Sequence, residues 1–274
     1  MEPSAIAARL VEVPGVVAVT LGGSRARGEH SPGSDVDLGL YYRPPLDVAA
    51  LQALADELSE VPAAVTAPGG WGPWVDGGAW TRIGGRAVDW IHRDLDRVRR
   101  SCDDARAGRF EWHHQAGHPL GFPGTTYAGE LFHAVVLADP TGELGRTRPA
   151  GFPPALRAAV VDRLWEAEFL LGGAAKAAPR GDGAYVAGCL FRALLLCVHA
   201  LHADAGRWVL NEKGAVAATA RLPRAPAGFA GRCAALFAAT GSTPQELAGT
   251  LARARDLLDQ TRAALSEDRP QGQR

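Results

Sequence analysis

The feature that most constrains the fold is a change of pattern near residue 153. Before about residue 109, short apolar runs rich in β-branched residues alternate with helical patterns. Beyond Pro153, apolar residues recur only at helical spacing. The expected fold is therefore α+β, with a small mixed β-sheet flanked by helices at the N-terminus and an all-helical bundle at the C-terminus. The predicted strands are 16–21, 35–42, 79–83 and 86–92, and the predicted helices are 3–11, 47–60, 94–107, 126–137, 154–176, 184–203, 229–239 and 243–266.

The length of the chain fits two domains. At roughly 150 residues per domain, 274 residues make about two. We expect a first domain over 1–109, a connector over 110–152, a helical domain over 153–266 and a flexible tail over 267–274.

The charge balance and the apolar pattern exclude several function classes. The 29 basic and 30 acidic residues give a net charge of −1, so a generally basic nucleic-acid binder is not expected. The N-terminus has no signal-peptide pattern, and the most apolar stretch, 189–203, is too short and too polar to span a membrane. The four cysteines form no C-x-x-C pair, which argues against a zinc ribbon, and four are few for a chain of this length, which argues against a disulfide scaffold. These features favour a soluble cytoplasmic protein that binds neither nucleic acid nor membrane.

The candidate catalytic residues cluster in segment 21–38, which has the sequence LGGSRARGEHSPGSDVDL. A buried strand runs into a Gly-Gly-Ser turn, and ten residues later a second strand opens at Asp35. Because alternate side chains of a strand share a face, Asp35 and Asp37 are predicted to point the same way, about 7 Å apart at Cα. Two such carboxylates suit two divalent cations about 3.5–4 Å apart. Mg²⁺ fits best, since it prefers carboxylates, waters and phosphate oxygens.

The turn between the two strands suits a phosphate group. Gly23 lets the backbone approach a ligand closely, and Ser24 adds a hydroxyl group. Arg25 and Arg27 are natural phosphate partners. The alternative interpretation is a plain turn.

A third acid, Asp89, lies in a predicted strand among apolar neighbours, where an unpaired carboxylate is costly. If that strand lies beside the strand of Asp35 and Asp37, Asp89 completes a three-carboxylate metal site. The alternative is a structural ion pair.

The chain thus contains Gly-Ser, then about ten residues, then Asp-x-Asp, and an Asp in a later strand. This order resembles the motif of the DNA-polymerase-β-type nucleotidyltransferase superfamily. The resemblance implies that Asp35, Asp37 and Asp89 are catalytic and hold two Mg²⁺ ions. It also implies ATP or another NTP as co-substrate. The residues implied in phosphate binding are Gly23, Ser24, Arg25 and Arg27.

The segment VDRLWE, residues 161–166, precedes an Ala-rich run and a second long apolar helix. This arrangement is similar to the C-terminal domain of the kanamycin nucleotidyltransferase family, and it implies that Glu166 takes the proton from the acceptor hydroxyl. The lysine that this family has one turn later is Leu170 here, which leaves Lys176 or arginines for its phosphate-binding role. A solvated helix face is the alternative interpretation of Glu166.

Further groups keep two interpretations each. Three histidines could bind a metal or belong to a loop: His113, His114 and His118. Four tryptophans could line a substrate pocket or cover the sheet: Trp71, Trp74, Trp80 and Trp90. Arg192 and His199 share a helix face with the spacing of HEPN-type ribonucleases, or form a buried hydrogen-bonded pair.

The function that we predict is Mg²⁺-dependent transfer of a nucleoside monophosphate, AMP by preference, to a hydroxyl of a small antibiotic-type acceptor, with release of pyrophosphate. The alternatives are a protein nucleotidylyltransferase or antitoxin-like regulator acting on a HEPN-type partner, and a non-catalytic nucleotide-binding module. The oligomeric state is left open, with a homodimer as one option.

Overall fold

Strands occur only in the first 138 residues of the computed structural model, within the described residues 1–31 and 33–266. The strands are β1 (Val16–Leu21), β2 (Val36–Tyr42), β3 (Gly78–Ile83), β4 (Arg86–Asp94), β5 (Trp112–His113), β6 (Phe122–Pro123) and β7 (Val135–Ala138). The α-helices are α1 (Pro3–Leu10), α2 (Gly23–Ala26), α3 (Val48–Leu58), α4 (Leu95–Arg106), α5 (Thr126–His133), α6 (Glu143–Thr147), α7 (Pro154–Asp162), α8 (Leu164–Ala177), α9 (Gly183–Asp204), α10 (Ala215–Ala218), α11 (Phe229–Ala238) and α12 (Pro244–Ser266). The predicted α+β class, with a mixed sheet first and helices after it, is confirmed.

The chain divides into two units whose members are not contiguous in sequence. Unit 1 comprises residues 1–105, 110–117 and 121–151, and unit 2 comprises the remainder. The predicted connector, 110–152, is therefore shared between the units, with most of it in unit 1. The predicted tail, 267–274, lies outside the described residues.

A five-stranded mixed sheet forms the centre of unit 1, in the order β3-β4-β2-β1-β7. Strands β2 and β4 are parallel, and the other neighbours are antiparallel. The β3–β4 hairpin turns at Gly84 and Gly85, both with positive φ, as the sequence predicts.

One face of this sheet is apolar and packs on α1 and α3. Its side chains alternate along β2 and β4 with a set that faces the other way and includes Asp37, Asp89 and Arg93; we call that side the polar face. The apolar members include Val36, Leu38, Leu40, Val88 and Trp90, all at most 3% exposed. Helices α1 and α3 contribute Ile6, Leu10, Leu51 and Leu54 to the same cluster. The polar face is thereby left for a site.

The predicted helix over 126–137 is wrong in its last turn. The helix ends at His133, Ala134 is extended, and β7 begins at Val135. Two β-branched residues in succession, Val135 and Val136, favour a strand. They extend the sheet by pairing antiparallel with β1.

Unit 2 is built mainly from α7, α8, α9 and α12. The predicted run 154–176 is interrupted at Arg163, where Glu166 N donates to Arg163 O in a tight i,i+3 turn. Helix α12 begins with the predicted capping box, in which Glu246 accepts from Thr243 N and its own N–H faces Thr243 Oγ1. The four cysteines are free and buried.

Helix α9 (Gly183–Asp204) is, within the part of the chain that the structure describes, the one helix long and apolar enough to cross a membrane. Most of it is buried inside the protein, as the central helix of a bundle would be.

Candidate active site

Asp37 and Asp89 lie directly opposite one another on the parallel strands β2 and β4. Residues opposite each other in a sheet share a face, so both carboxylates belong to the polar face. Trp80 on β3 lies opposite Asp89, and Gly22 at the end of β1 donates its N–H to Asp37 O at 2.8 Å. Gly22, Asp37, Asp89 and Trp80 thus form one row across four strands, which we call the site row.

The Asp37 carboxylate rests against the bare backbone of Gly23. A Cβ atom placed on Gly23 would lie 1.7 Å from Asp37 Oδ2 and 2.7 Å from its Cγ. Gly23 also has a φ of +60°, a conformation that favours glycine. The Gly-Gly turn therefore serves both the chain reversal and the close approach of the carboxylate.

Burial and mutual repulsion raise the pKa values of Asp37 and Asp89, so the fully ionised state of this cluster is disfavoured. Burial, followed by the charge of Asp35, raises the pKa of Asp37. Burial, followed by the charges of Asp37 and Asp35, raises the pKa of Asp89 to about 6. The three predicted carboxylates are thus close enough to influence one another, and a bound cation would relieve the repulsion.

The arginines of the turn have different partners. Arg25 donates from Nη2 to Ser34 O at 2.6 Å and from Nε to Asp35 O at 3.0 Å, which closes the loop between β1 and β2. Arg27 donates to Glu29 Oε2 at 2.8 Å, and its charge lowers the pKa of Asp37. Of the two, Arg27 is therefore the arginine whose charge reaches the acids, and phosphate binding by Arg25 and by Ser24 stays a prediction.

Arg93 and Glu130 are site residues that the sequence analysis missed. Arg93 Nε and Nη2 donate to the two carboxylate oxygens of Glu130 at 2.6 and 2.8 Å. The Arg93 side chain is only 8% exposed, and the charges of both residues influence the pKa of Asp37. Strand alternation could have placed Arg93 on the face of Asp89, four residues earlier, but no local pattern marks Glu130.

The carboxylates of the site meet the needs of a divalent metal only in part. Carboxylate oxygens are the ligands that Mg²⁺ prefers, and Asp37 and Asp89 are adjacent. Among the described residues, however, no group of three or more His, Cys, Asp or Glu side chains is close enough to hold one ion. The pair fits a metal together with phosphate oxygens; a shared role of Asp35 stays a prediction.

Glu166 belongs to unit 2, on α8, and is engaged in an ion pair. Arg192 Nε donates to Glu166 Oε1 at 2.5 Å, and Arg192 Nη1 donates to Leu120 O at 3.1 Å. His199 lies on α9 with Arg192, and burial lowers its pKa to about 3. The structure therefore places Glu166 and Arg192 together, whereas the catalytic role of Glu166 stays a prediction.

The histidines of the connector occupy separate environments. His113 stacks on Trp74, with ring centroids 3.6 Å apart. His118 Nδ1 lies 3.6 Å from Glu212 Oε2 in unit 2. This separation favours the loop interpretation over a shared metal.

The four predicted tryptophans divide into buried and exposed rings. Trp90 is fully buried under the sheet, whereas Trp80 is 65% exposed on the polar face. Trp71 stacks on Trp80, with centroids 4.4 Å apart and planes at 15°. Trp90 thus fits the cover over the sheet, whereas a substrate-pocket role of the other rings stays a prediction.

The match to a protein-family model agrees with the motif in the N-terminal segment. Residues 4–65 match the model of the nucleotidyltransferase domain. A nucleotidyltransferase-like protein from Exiguobacterium sibiricum 255-15 is a structural neighbour, with 11% identity and a TM-score of 0.45; the alignment covers 97% of this chain and 79% of that one. No curated protein matches significantly. The likeness of the helical half to the kanamycin nucleotidyltransferase family stays a prediction.

Proposed function

We propose that the protein transfers a nucleoside monophosphate from an NTP to a hydroxyl of a small molecule, because residues 4–65 match the nucleotidyltransferase domain and contain the Gly-Ser and Asp-x-Asp elements that resemble the DNA-polymerase-β-type superfamily. Pyrophosphate is the other product. The observation that carries the proposal is the site row, in which Asp37 and Asp89 lie side by side next to the Gly22-Gly23 turn.

Nucleotidyltransferase domains generally use an NTP with a divalent metal. Asp37 and Asp89 would hold the metal, because they are adjacent, share a face and repel one another without a cation. A divalent cation held by these two carboxylates would supply positive charge beside the phosphate oxygens.

The residues around the acids are suited to the triphosphate. Gly23 leaves its backbone open beside Asp37, and the hydroxyl of Ser24 follows in the same turn. Arg27 adds a positive charge near Asp37, which favours the binding of an anionic phosphate there. These groups would fix the leaving pyrophosphate at the Gly23 end of the site row.

The acceptor hydroxyl loses a proton during the reaction, and Glu166 is the residue that the family resemblance suggests for it. In the structure Glu166 accepts from Arg192. Its action as a base therefore requires this ion pair to open, or Oε2 to take the proton instead.

The preference for a small acceptor rests on charge and on a separate helical unit. A net charge of −1 offers little attraction to a polyanionic nucleic acid. We further propose an antibiotic-type acceptor, ATP as the donor and a cytoplasmic location.

The test is pyrophosphate release by the full chain with Mg²⁺, each NTP, and a panel of aminoglycosides and lincosamides. Asp37→Asn removes a carboxylate of the site row but keeps the shape of the side chain. It is expected to lower turnover by at least about 100-fold, because it loses several kcal/mol of transition-state stabilisation.

Asp56→Asn, on the surface of α3, is the matched control and keeps full turnover. Acceptor-dependent release that survives Asp37→Asn overturns the assignment of the site row, and the absence of acceptor-dependent release by the unaltered protein overturns the proposed function.

A further inference from the structure

We propose that Trp80, backed by Trp71, is the platform on which the ring of the acceptor lies during transfer; this inference rests on the proposed function. We refer to these two side chains as the tryptophan platform. The class of acceptor that it fits is a hydroxyl-bearing saturated ring, such as a sugar or an aminocyclitol.

The position of the platform is set by the register of the sheet. Trp80 lies directly opposite Asp89 on the antiparallel pair β3–β4. Side chains opposite one another have Cβ atoms about 4.5–5.5 Å apart and share a face. The indole therefore borders the carboxylates of the site row and belongs to the same surface.

Trp80 keeps far more exposed surface than its size predicts. A tryptophan buries about 150–250 Å² when it packs, yet Trp80 is 65% exposed. Trp71 covers the ring by stacking at 4.4 Å and 15°, so the orientation of the indole is fixed while much of its surface stays open.

The segment that supplies Trp71 is held firmly by buried polar groups. Gln115, 4% exposed, donates from Nε2 to Trp71 O at 2.8 Å and accepts from Trp74 N and Val75 N. Trp71 N in turn donates to Asp76 O at 3.0 Å. A loop tied down in this way presents a preorganised surface, and little conformational entropy is lost when a ligand binds.

The geometry of the reaction selects the acceptor over the nucleobase as the occupant. In phosphoryl transfer, the attacking and leaving oxygens are roughly in line on opposite sides of the phosphorus. The leaving pyrophosphate is assigned to the Gly23 end of the site row, so the attacking hydroxyl approaches from the other end. Trp80 occupies that other end.

The chemistry of the indole face selects a saturated ring. The face carries partial negative charge, so it attracts the weakly positive C–H groups of a sugar or cyclitol ring. An ammonium group on such a ring adds a cation–π attraction.

The experiment is calorimetric titration of the full chain with each Mg–NTP and, separately, with each member of the aminoglycoside and lincosamide panel. The variants are Trp80→Ala, Trp80→Phe and, as an exposed aromatic control in unit 2, Phe237→Ala. We expect Trp80→Ala to weaken acceptor binding about tenfold, since the C–H contacts and the cation–π attraction to the indole face are together worth roughly that factor. Trp80→Phe restores most of the affinity, and NTP binding changes less than about twofold in every variant.

Three results overturn the inference. Trp80→Ala could weaken NTP binding and spare the acceptors, which would assign the platform to the nucleobase. It could change neither affinity, or the unaltered protein could bind an NTP and none of the ring-bearing acceptors. The first two results are distinct from failure of the proposed function, which is read independently as the absence of acceptor-dependent pyrophosphate release by the unaltered protein.

Discussion

Replacing Gly23 by alanine separates the two roles of the turn, one in folding and one in the site. A Cβ atom on Gly23 would lie 1.7 Å from Asp37 Oδ2, and real contacts of this kind essentially never fall below 3.0 Å. The carboxylate must therefore move by about 1.3 Å, unless the backbone of the turn moves instead. Either change disturbs the distance between Asp37 and the phosphate-binding turn.

The stability cost of Gly23→Ala has two parts. Holding alanine at a φ of +60° costs about 1–2 kcal/mol. Forcing Asp37 out of its preferred rotamer adds about 0.5–1.5 kcal/mol. A total of about 1.5–3.5 kcal/mol lowers the midpoint of thermal unfolding by roughly 3–14 °C in a unit of this size.

The effect of Gly23→Ala on activity is expected to be much larger. A displacement of about 1 Å in a positioning group costs roughly 100-fold in rate. Gly28→Ala is the matched control, because Gly28 has a φ of +69° in the same loop but no atom within 4 Å of the added Cβ. It shares the backbone cost and keeps turnover within a few-fold.

The assays are pyrophosphate release and a thermal melt of both variants. If Gly23→Ala and Gly28→Ala lose activity equally, the loss comes from backbone strain in the loop, and the argument from the Asp37 contact is refuted.

Two further predictions concern the two units separately. Glu130→Ala leaves the buried guanidinium of Arg93 without its carboxylate and should destabilise unit 1 by about 3 kcal/mol in urea unfolding; Glu57→Ala, which breaks a solvent-exposed ion pair, is the control and should leave the unfolding midpoint unchanged. An equal loss in both variants would contradict the burial argument. Backbone hydrogen bonds at the start of α12 lower the pKa of Glu246 to about 2, so its stabilising effect is present above about pH 4.5 and disappears as the pH falls towards 2. Thermal melts from pH 7 to 2 should show that loss in the unaltered protein and not in Glu246→Gln; parallel curves would refute it.

Local patterns predict much of the sheet but not its edge. The β-branched run at 16–21 and the Gly-Gly hairpin gave strands within two residues of those observed, because both signals lie in neighbouring residues. The local pattern predicts helix where strand β7 lies, since only the pairing with β1 decides between the two. A four-residue strand has too short a pattern to compete with the helix before it.

The candidate site shows the same division between local and long-range information. The sequence marks Asp37 and Asp89 as acids in strands, and their adjacency depends on a parallel pairing that spans some fifty residues of chain. The contact between Gly23 and the carboxylate of Asp37 is a matter of atomic packing that residue type does not reveal. The partner of Glu166, Arg192, lies on a separate helix, and residue spacing alone gives no hint of this ion pair.

Strand β7 also has a consequence for how the protein can be divided. The matched nucleotidyltransferase segment, 4–65, ends before Asp89, Glu130 and β7. A fragment that stops at residue 109 would leave the backbone donors and acceptors of β1 open along one side, which is a template for association with other chains. A fragment that continues to residue 151 keeps that strand covered. The smallest piece in which the acidic cluster can be expected to fold thus extends well past the region that sequence comparison delineates.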